Sequence, residues 1–222
     1  MNEVVAYLSL ALNVLFVAAI IAFWLQRVKI FHGVFHKMDT DAAVSFFDAY
    51  PVEPGDIVFL GDSITAGGQW SEIFPHATVR NRGIRGDRTE DLRQRLRQIT
   101  AGKPRQIFLM IGTNDIGLGA PREQTLDNYR AILDQILRES PDTRLVVQSV
   151  LPRESQYHDQ VVTLNAELST MAQERGLTFV DLFQVFVGED GAIQDELTCD
   201  SLHLSGQGYR KWHTLIESAV QN

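Results

Sequence analysis

The chain has one cysteine, Cys199, among 222 residues. No intrachain disulfide can form, and no second cysteine completes a zinc pattern, so a metal site is not expected. Positive charge is also scarce. Twenty Lys and Arg against 28 Asp and Glu leave a net charge of −8 and a pI near 5.2. A nucleic-acid binder usually carries a basic face, so that class is set aside. There is no G-x-G-x-x-G and no Gly-Lys-Ser/Thr of a P-loop, which argues against a nucleotide cofactor. Internal repeats and low-complexity tracts are missing too.

Charge of either sign is missing from Val4 to Leu25, a run of 22 residues. As a helix this run would be roughly 33 Å long, about the thickness of a bilayer's hydrocarbon core. The start "MNE" is not basic and the exit "AFWLQRVK" offers no small-x-small site, so a cleaved signal peptide fits poorly. The expectation is a transmembrane anchor over residues 1–26. A basic segment follows over 27–39, with Arg27, Lys29 and Lys37 and an apolar stripe of Val28, Phe31, Phe35 and Met38. That stripe suits either lipid headgroups or packing on the following domain. Lysine and arginine lie only on the C-terminal side of the run. The expected orientation therefore puts the rest of the chain in the cytoplasm, the alternative being the periplasmic or extracellular side.

From Thr40 onward the pattern is α/β. "TDAAVSFFDAY" reads as a short capped helix ended by Pro51. Strands are expected at 56–60, 78–81, 106–111, 144–150 and 178–182. Helical faces lie between them, such as Leu126, Tyr129, Leu133, Ile136 and Leu137. Continuous apolar strands alternating with helices imply a parallel sheet covered on both faces, a three-layer doubly wound domain over residues 40–222. Such sheets bind ligands beyond the carboxyl ends of their strands.

Three loops at those ends carry polar groups: Gly61-Asp62-Ser63, Asn81-Arg82-Gly83 and Gly112-Thr113-Asn114-Asp115. Further on, "CDSLHLSGQGY" places Asp200 three residues before His203, on one face if the segment makes a helical turn. The stretch "GDSITAGG" could turn a corner, hold a nucleophile or cradle a phosphate. Asp62 disfavours the last.

In their order these blocks resemble the SGNH (GDSL-type) hydrolases, including esterases similar to platelet-activating-factor acetylhydrolase catalytic subunits and carbohydrate O-acetylesterases. "GDSITAG" is similar to the first block, "NRGIRGD" to the second, "GTND" to the third and "DSLH" to the last, with Ile64 where the family's name has leucine. The resemblance implies a flavodoxin-like SGNH fold and a serine esterase without cofactor. Ser63 would be the nucleophile, with Asp200 and His203 completing a triad. The backbone N–H groups of Ser63 and Gly83 and the Asn114 amide would form the oxyanion hole. The expected partner is a small ester substrate, an acylated sugar or a lipid head group. Between Gly112 and His203 no insertion is long enough for a lid, which favours acetyl or other short acyl groups. The alternatives are a longer-chain lipase or lysophospholipase, and a non-catalytic membrane-tethered binding domain.

Overall fold

In a computed structural model of the protein the described backbone covers residues 2–221. The side chains of residues 2–6, 11, 22, 25–35 and 221 lie outside the description. Two compact units divide the chain, Met1–Ala42 and Ala43–Asn222.

Helix α1 runs from Asn2 to Ala49. The membrane anchor expected over residues 1–26 is corrected by this structure: among the described residues no helix is long and apolar enough to cross a membrane. The charge-free run is not a helix of its own. It continues unbroken through Arg27, Lys29, Lys37, Asp39, Asp41 and Asp48, because no proline interrupts the chain before Pro51. The single-pass assignment falls with the anchor, and so does the orientation argued from it. The short helix expected from Thr40 is likewise the end of α1 rather than a separate element. The stripe of Val28, Phe31 and Phe35 falls on side chains outside the description.

The second unit holds five strands: β1 (Ile57–Gly61), β2 (Val79–Gly83), β3 (Gln106–Met110), β4 (Arg144–Gln148) and β5 (Thr178–Val180). They form one parallel sheet in the order β2-β1-β3-β4-β5, the doubly wound arrangement expected. Between and after the strands come the short helices α2 (Ser63–Ala66), α3 (Trp70–Ile73), α4 (Thr89–Arg95), α5 (Arg97–Thr100) and α6 (Thr113–Gly117). The longer α7 (Arg122–Glu139) and α8 (His158–Glu174), the short α9 (Phe183–Phe186) and the terminal α10 (Gly206–Gln221) complete the unit.

Alternation along fully buried strands sorts their side chains onto two cores. Val58, Leu60, Ile107, Leu109 and Val147 point to the face covered by α4, α5, α7 and α8. Ile57, Phe59, Phe108, Met110 and Val146 point to the face covered by α3, α9 and α10. On that second face Phe59 stacks on Trp70 at 3.8 Å, and Trp70 meets Trp212 edge-on at 4.8 Å. Each buried side chain of this size contributes about 1.5–3 kcal/mol. One polar pair sits inside this core: Trp212 Nε1 donates to Gln148 Oε1 at 2.7 Å.

The last turns of α1 belong to this unit. Phe47 is buried and the Arg82 guanidinium lies 4.5 Å over its ring. Gln98 Nε2 donates to Asp48 Oδ1 at 2.5 Å.

Candidate active site

β1 is an inner strand, with β2 on one side and β3 on the other, so the loop leaving its carboxyl end opens at the reversal of strand order. Gly61 closes β1. A Cβ there would meet the Met110 carbonyl at 2.2 Å and Thr65 Oγ1 at 2.3 Å, so only glycine allows the turn this close to β3. Asp62 then caps α2, its Oδ1 accepting from the Ile64 N–H at 3.0 Å. Ser63 is thereby the first residue of α2, at the positive end of that turn.

The segment carrying Asp200 and His203 does not make the helical turn that would have put them on one face; it is a tight polar turn with Ser201 at φ 65°. Asp200 Oδ1 accepts from the backbone N–H of Leu202 at 3.1 Å and of His203 at 2.7 Å. The two side chains meet all the same. His203 Nδ1 lies 2.7 Å from Asp200 Oδ2, and its Nε2 lies 2.9 Å from Ser63 Oγ. With the Nδ1 proton given to Asp200, Nε2 is left to accept the serine hydroxyl. Burial pushes the Asp200 carboxyl up, but hydrogen bonds from the His203 ring and backbone outweigh it and hold it below the usual carboxylate range.

The second block lies differently from its expected place after the strand. Asn81, Arg82 and Gly83 belong to β2, with Gly83 opposite Gly61. Asn81 Nδ2 donates to the carbonyls of Ala66 and Gly68, both at 3.1 Å, and so braces the end of α2. Its Oδ1 accepts the Gly83 N–H at 3.0 Å. A Cβ on Gly83 would meet Ala66 N at 2.3 Å and the Asp62 carbonyl at 2.7 Å. This glycine serves close packing beneath α2, and its N–H is already engaged.

Asn114 is the second residue of α6, whose entry turns on Gly112 at φ 125°. Its Nδ2 donates to the Asp87 carbonyl at 2.9 Å. The next residue, Asp115, accepts from the Thr89 N–H at 3.0 Å and from its hydroxyl at 2.6 Å. Asp87 pairs with Arg95 at 2.7 Å, both side chains buried, and Arg95 Nη2 reaches the Gly61 carbonyl at 3.1 Å. The loops after β1, β2 and β3 are therefore tied to one another below the serine. Asp62 shares this buried ground: desolvation, reinforced by the charges of Asp87 and Asp115 and opposed by the Ile64 N–H, pushes its carboxyl up to about 7. Tyr209 of α10 adds a further tie, donating to the Ile64 carbonyl at 2.7 Å.

Sequence reasoning did not single out Asp87, Thr89 or Arg95 as parts of the site, and named Asp115 only as a member of its loop. The signal available was charge in the loops after β2 and β3, since charge at a covered sheet edge has no reason to be buried unless it is paired.

Comparison with known proteins gives the same picture. The GDSL-like Lipase/Acylhydrolase family matches residues 59–211. The human platelet-activating factor acetylhydrolase IB subunit alpha1 is 30% identical over 184 residues, which is 76% of this chain and 78% of that protein. Among solved structures, one from Streptococcus pneumonia named for platelet activating factor superposes with a TM-score of 0.80 at 29% identity, covering 90% of this chain and 99% of that one. The lipase/acylhydrolase from Enterococcus faecalis, at 23% identity and a TM-score of 0.64 over 75% of this chain and 95% of its own, shares the fold. The order of the blocks, the parallel sheet and these matches agree, and the chain belongs to the GDSL-like lipase/acylhydrolase family, as a carboxylic ester hydrolase.

Proposed function

We propose that this enzyme cleaves short-acyl esters through a covalent acyl-enzyme on Ser63. The observation that carries the reading is the chain of contacts from Ser63 Oγ to His203 Nε2 at 2.9 Å and from His203 Nδ1 to Asp200 at 2.7 Å. A serine hydroxyl attacks only when a base removes its proton. His203 takes that proton and returns it to the leaving alcohol, while Asp200 orients the ring and stabilises its positive charge. Water then attacks the acyl-enzyme by the same route in reverse.

The oxyanion needs donors that are in place beforehand. The Ser63 N–H at the start of α2 and the Asn114 amide supply two, since one amide proton of Asn114 is held by Asp87 and the other is left for substrate. For the third we assign Gly86 rather than Gly83, whose N–H goes to Asn81. Gly86 has φ 82° and immediately precedes the Asp87 whose carbonyl holds Asn114.

The acyl preference rests on openness. The side chains of His203 and Asp200 are 37% and 53% exposed, so solvent reaches the base directly. A long chain gains its binding energy from an apolar cover, and a site this open favours an acetyl group. The test is a series of esters from two to sixteen carbons, with Ser63→Ala in parallel. Fastest turnover at the short end, abolished in a folded Ser63→Ala, is the expected result. A preference above about eight carbons would overturn the acyl assignment, and full activity without the hydroxyl would overturn the nucleophile.

A further inference from the structure

Helix α6 carries Asn114 yet has only five residues, Thr113–Gly117. A helix that short has no stability of its own, because nucleation outweighs its few hydrogen bonds. Its position is set by what grips it. One grip is Asp115 on Thr89. Another, besides the Asn114 bond to the Asp87 carbonyl, comes from Arg153, in the loop between β4 and α8.

Arg153 is 8% exposed. Its Nη1 donates to the Thr113 carbonyl at 2.9 Å, one peptide before Asn114. Its Nε and Nη2 donate to the two oxygens of Glu154, at 2.8 and 3.4 Å. The guanidinium lies 4.2 Å over the Tyr157 ring. Two edges and one face are thus taken by protein, so this cation is a brace rather than a substrate contact. The sequence makes room for it: a Cβ on Gly117 would come within 2.6 Å of Nη1. Hydrogen bonds from Arg153 hold Glu154 below the usual carboxylate range, and the charge of Asp200 opposes them.

We propose that Arg153 is a positioning residue for ester hydrolysis, its planar fork fixing α6 and, through Thr113, the Asn114 amide where negative charge develops on the substrate. The proposal rests on reading Asn114 as an oxyanion donor. Lysine could not replace it, since a single ammonium cannot hold the Thr113 carbonyl and both Glu154 oxygens in one plane. A displacement of about 1 Å in such a donor can cost up to ~10²-fold in rate.

Gly117→Ala tests this without touching the arginine. The new methyl group drives the guanidinium off Thr113, while alanine is the better helix residue, so folding is not sacrificed. Active sites are titrated with a serine-directed fluorophosphonate in the full-length chain, and kcat is expressed per titrated site. The expected result is a kcat at least about tenfold lower with KM within about twofold, in Gly117→Ala and Arg153→Met alike. The double variant should be no slower than Arg153→Met, and Gly117→Ala should add nothing in an Asn114→Ala background, because all act through one group. Wild-type kcat per site in Gly117→Ala overturns the proposal, as do losses that multiply in the double variants. Ser63→Ala, assayed alongside, reports separately on the triad: inactivity there with an unaffected Gly117→Ala removes only the role given to Arg153.

Discussion

Asn114 and Asp62 make opposite demands on their surroundings. For Asn114 the amide matters only once charge appears on the substrate, so Asn114→Ala should lower kcat by about 10²–10³ while a fluorophosphonate still labels Ser63. Retention of more than a tenth of wild-type kcat would show that the amide is not an oxyanion donor. Asp62 is 1% exposed and its carboxyl is raised from 3.8 to about 7, so the native chain holds that proton more tightly than the unfolded chain. Between pH ~4 and ~7 the unfolded state sheds it first, and stability therefore falls as pH rises through this window. The effect is of the order of 4 kcal/mol at most. Asp62→Asn keeps an oxygen for the Ile64 N–H and removes the titration. Urea unfolding of both proteins at pH 5 and pH 8 should show the variant gaining on the wild type at the higher pH. An unchanged difference would mean that this carboxyl is not titrating in the fold.

At the scale of elements, the sheet could be read from the sequence because buried parallel strands have no alternative: apolar runs such as those of β1, β3 and β4, separated by helical faces, admit one layered solution. Ser63, Asn114, Asp200 and His203 could be picked out as candidates for a related reason, since a parallel sheet brings such positions to one edge. What escaped was anything decided by pairing across the chain. Arg82 and Gly83 were placed in a loop, but register with Leu60 and Gly61 keeps them in β2, and no local pattern reveals a register. For Asp200 and His203 the spacing suggested a shared face only if the segment made a helical turn, but an aspartate taking two backbone N–H groups builds a different turn with the same reach. The membrane anchor was inferred from length and the absence of charge, and that criterion cannot see a helix continuing into charged sequence. Arg95 illustrates the energetic side. It is buried against Asp87 and the Gly61 carbonyl, so Arg95→Met leaves Asp87 without this cation and should cost about 3–5 kcal/mol in urea unfolding. A loss below about 1 kcal/mol would show that the tie between the loops is dispensable.

Over the whole molecule, the two contacts of the proposed triad have different histories in the chain. Asp200 and His203 are three residues apart and held by their own turn, whereas Ser63 and His203 are 140 residues apart. The first contact can form while most of the chain is still unfolded; the second closes a loop of nearly the whole domain and waits for α10 to dock through Trp212. Long-range closure is the slow part of folding. Recovery of nucleophilicity during refolding should therefore follow the burial of Trp212 and not the earlier appearance of helix. Stopped-flow refolding watched by tryptophan fluorescence, far-UV circular dichroism and pulse labelling with a fluorophosphonate would set the three in order. Labelling that keeps pace with the first circular-dichroism phase would contradict this. If the order holds, the serine's reactivity is a clock for the last step of assembly, and a partly folded chain carries an acid–base pair with nothing yet to activate.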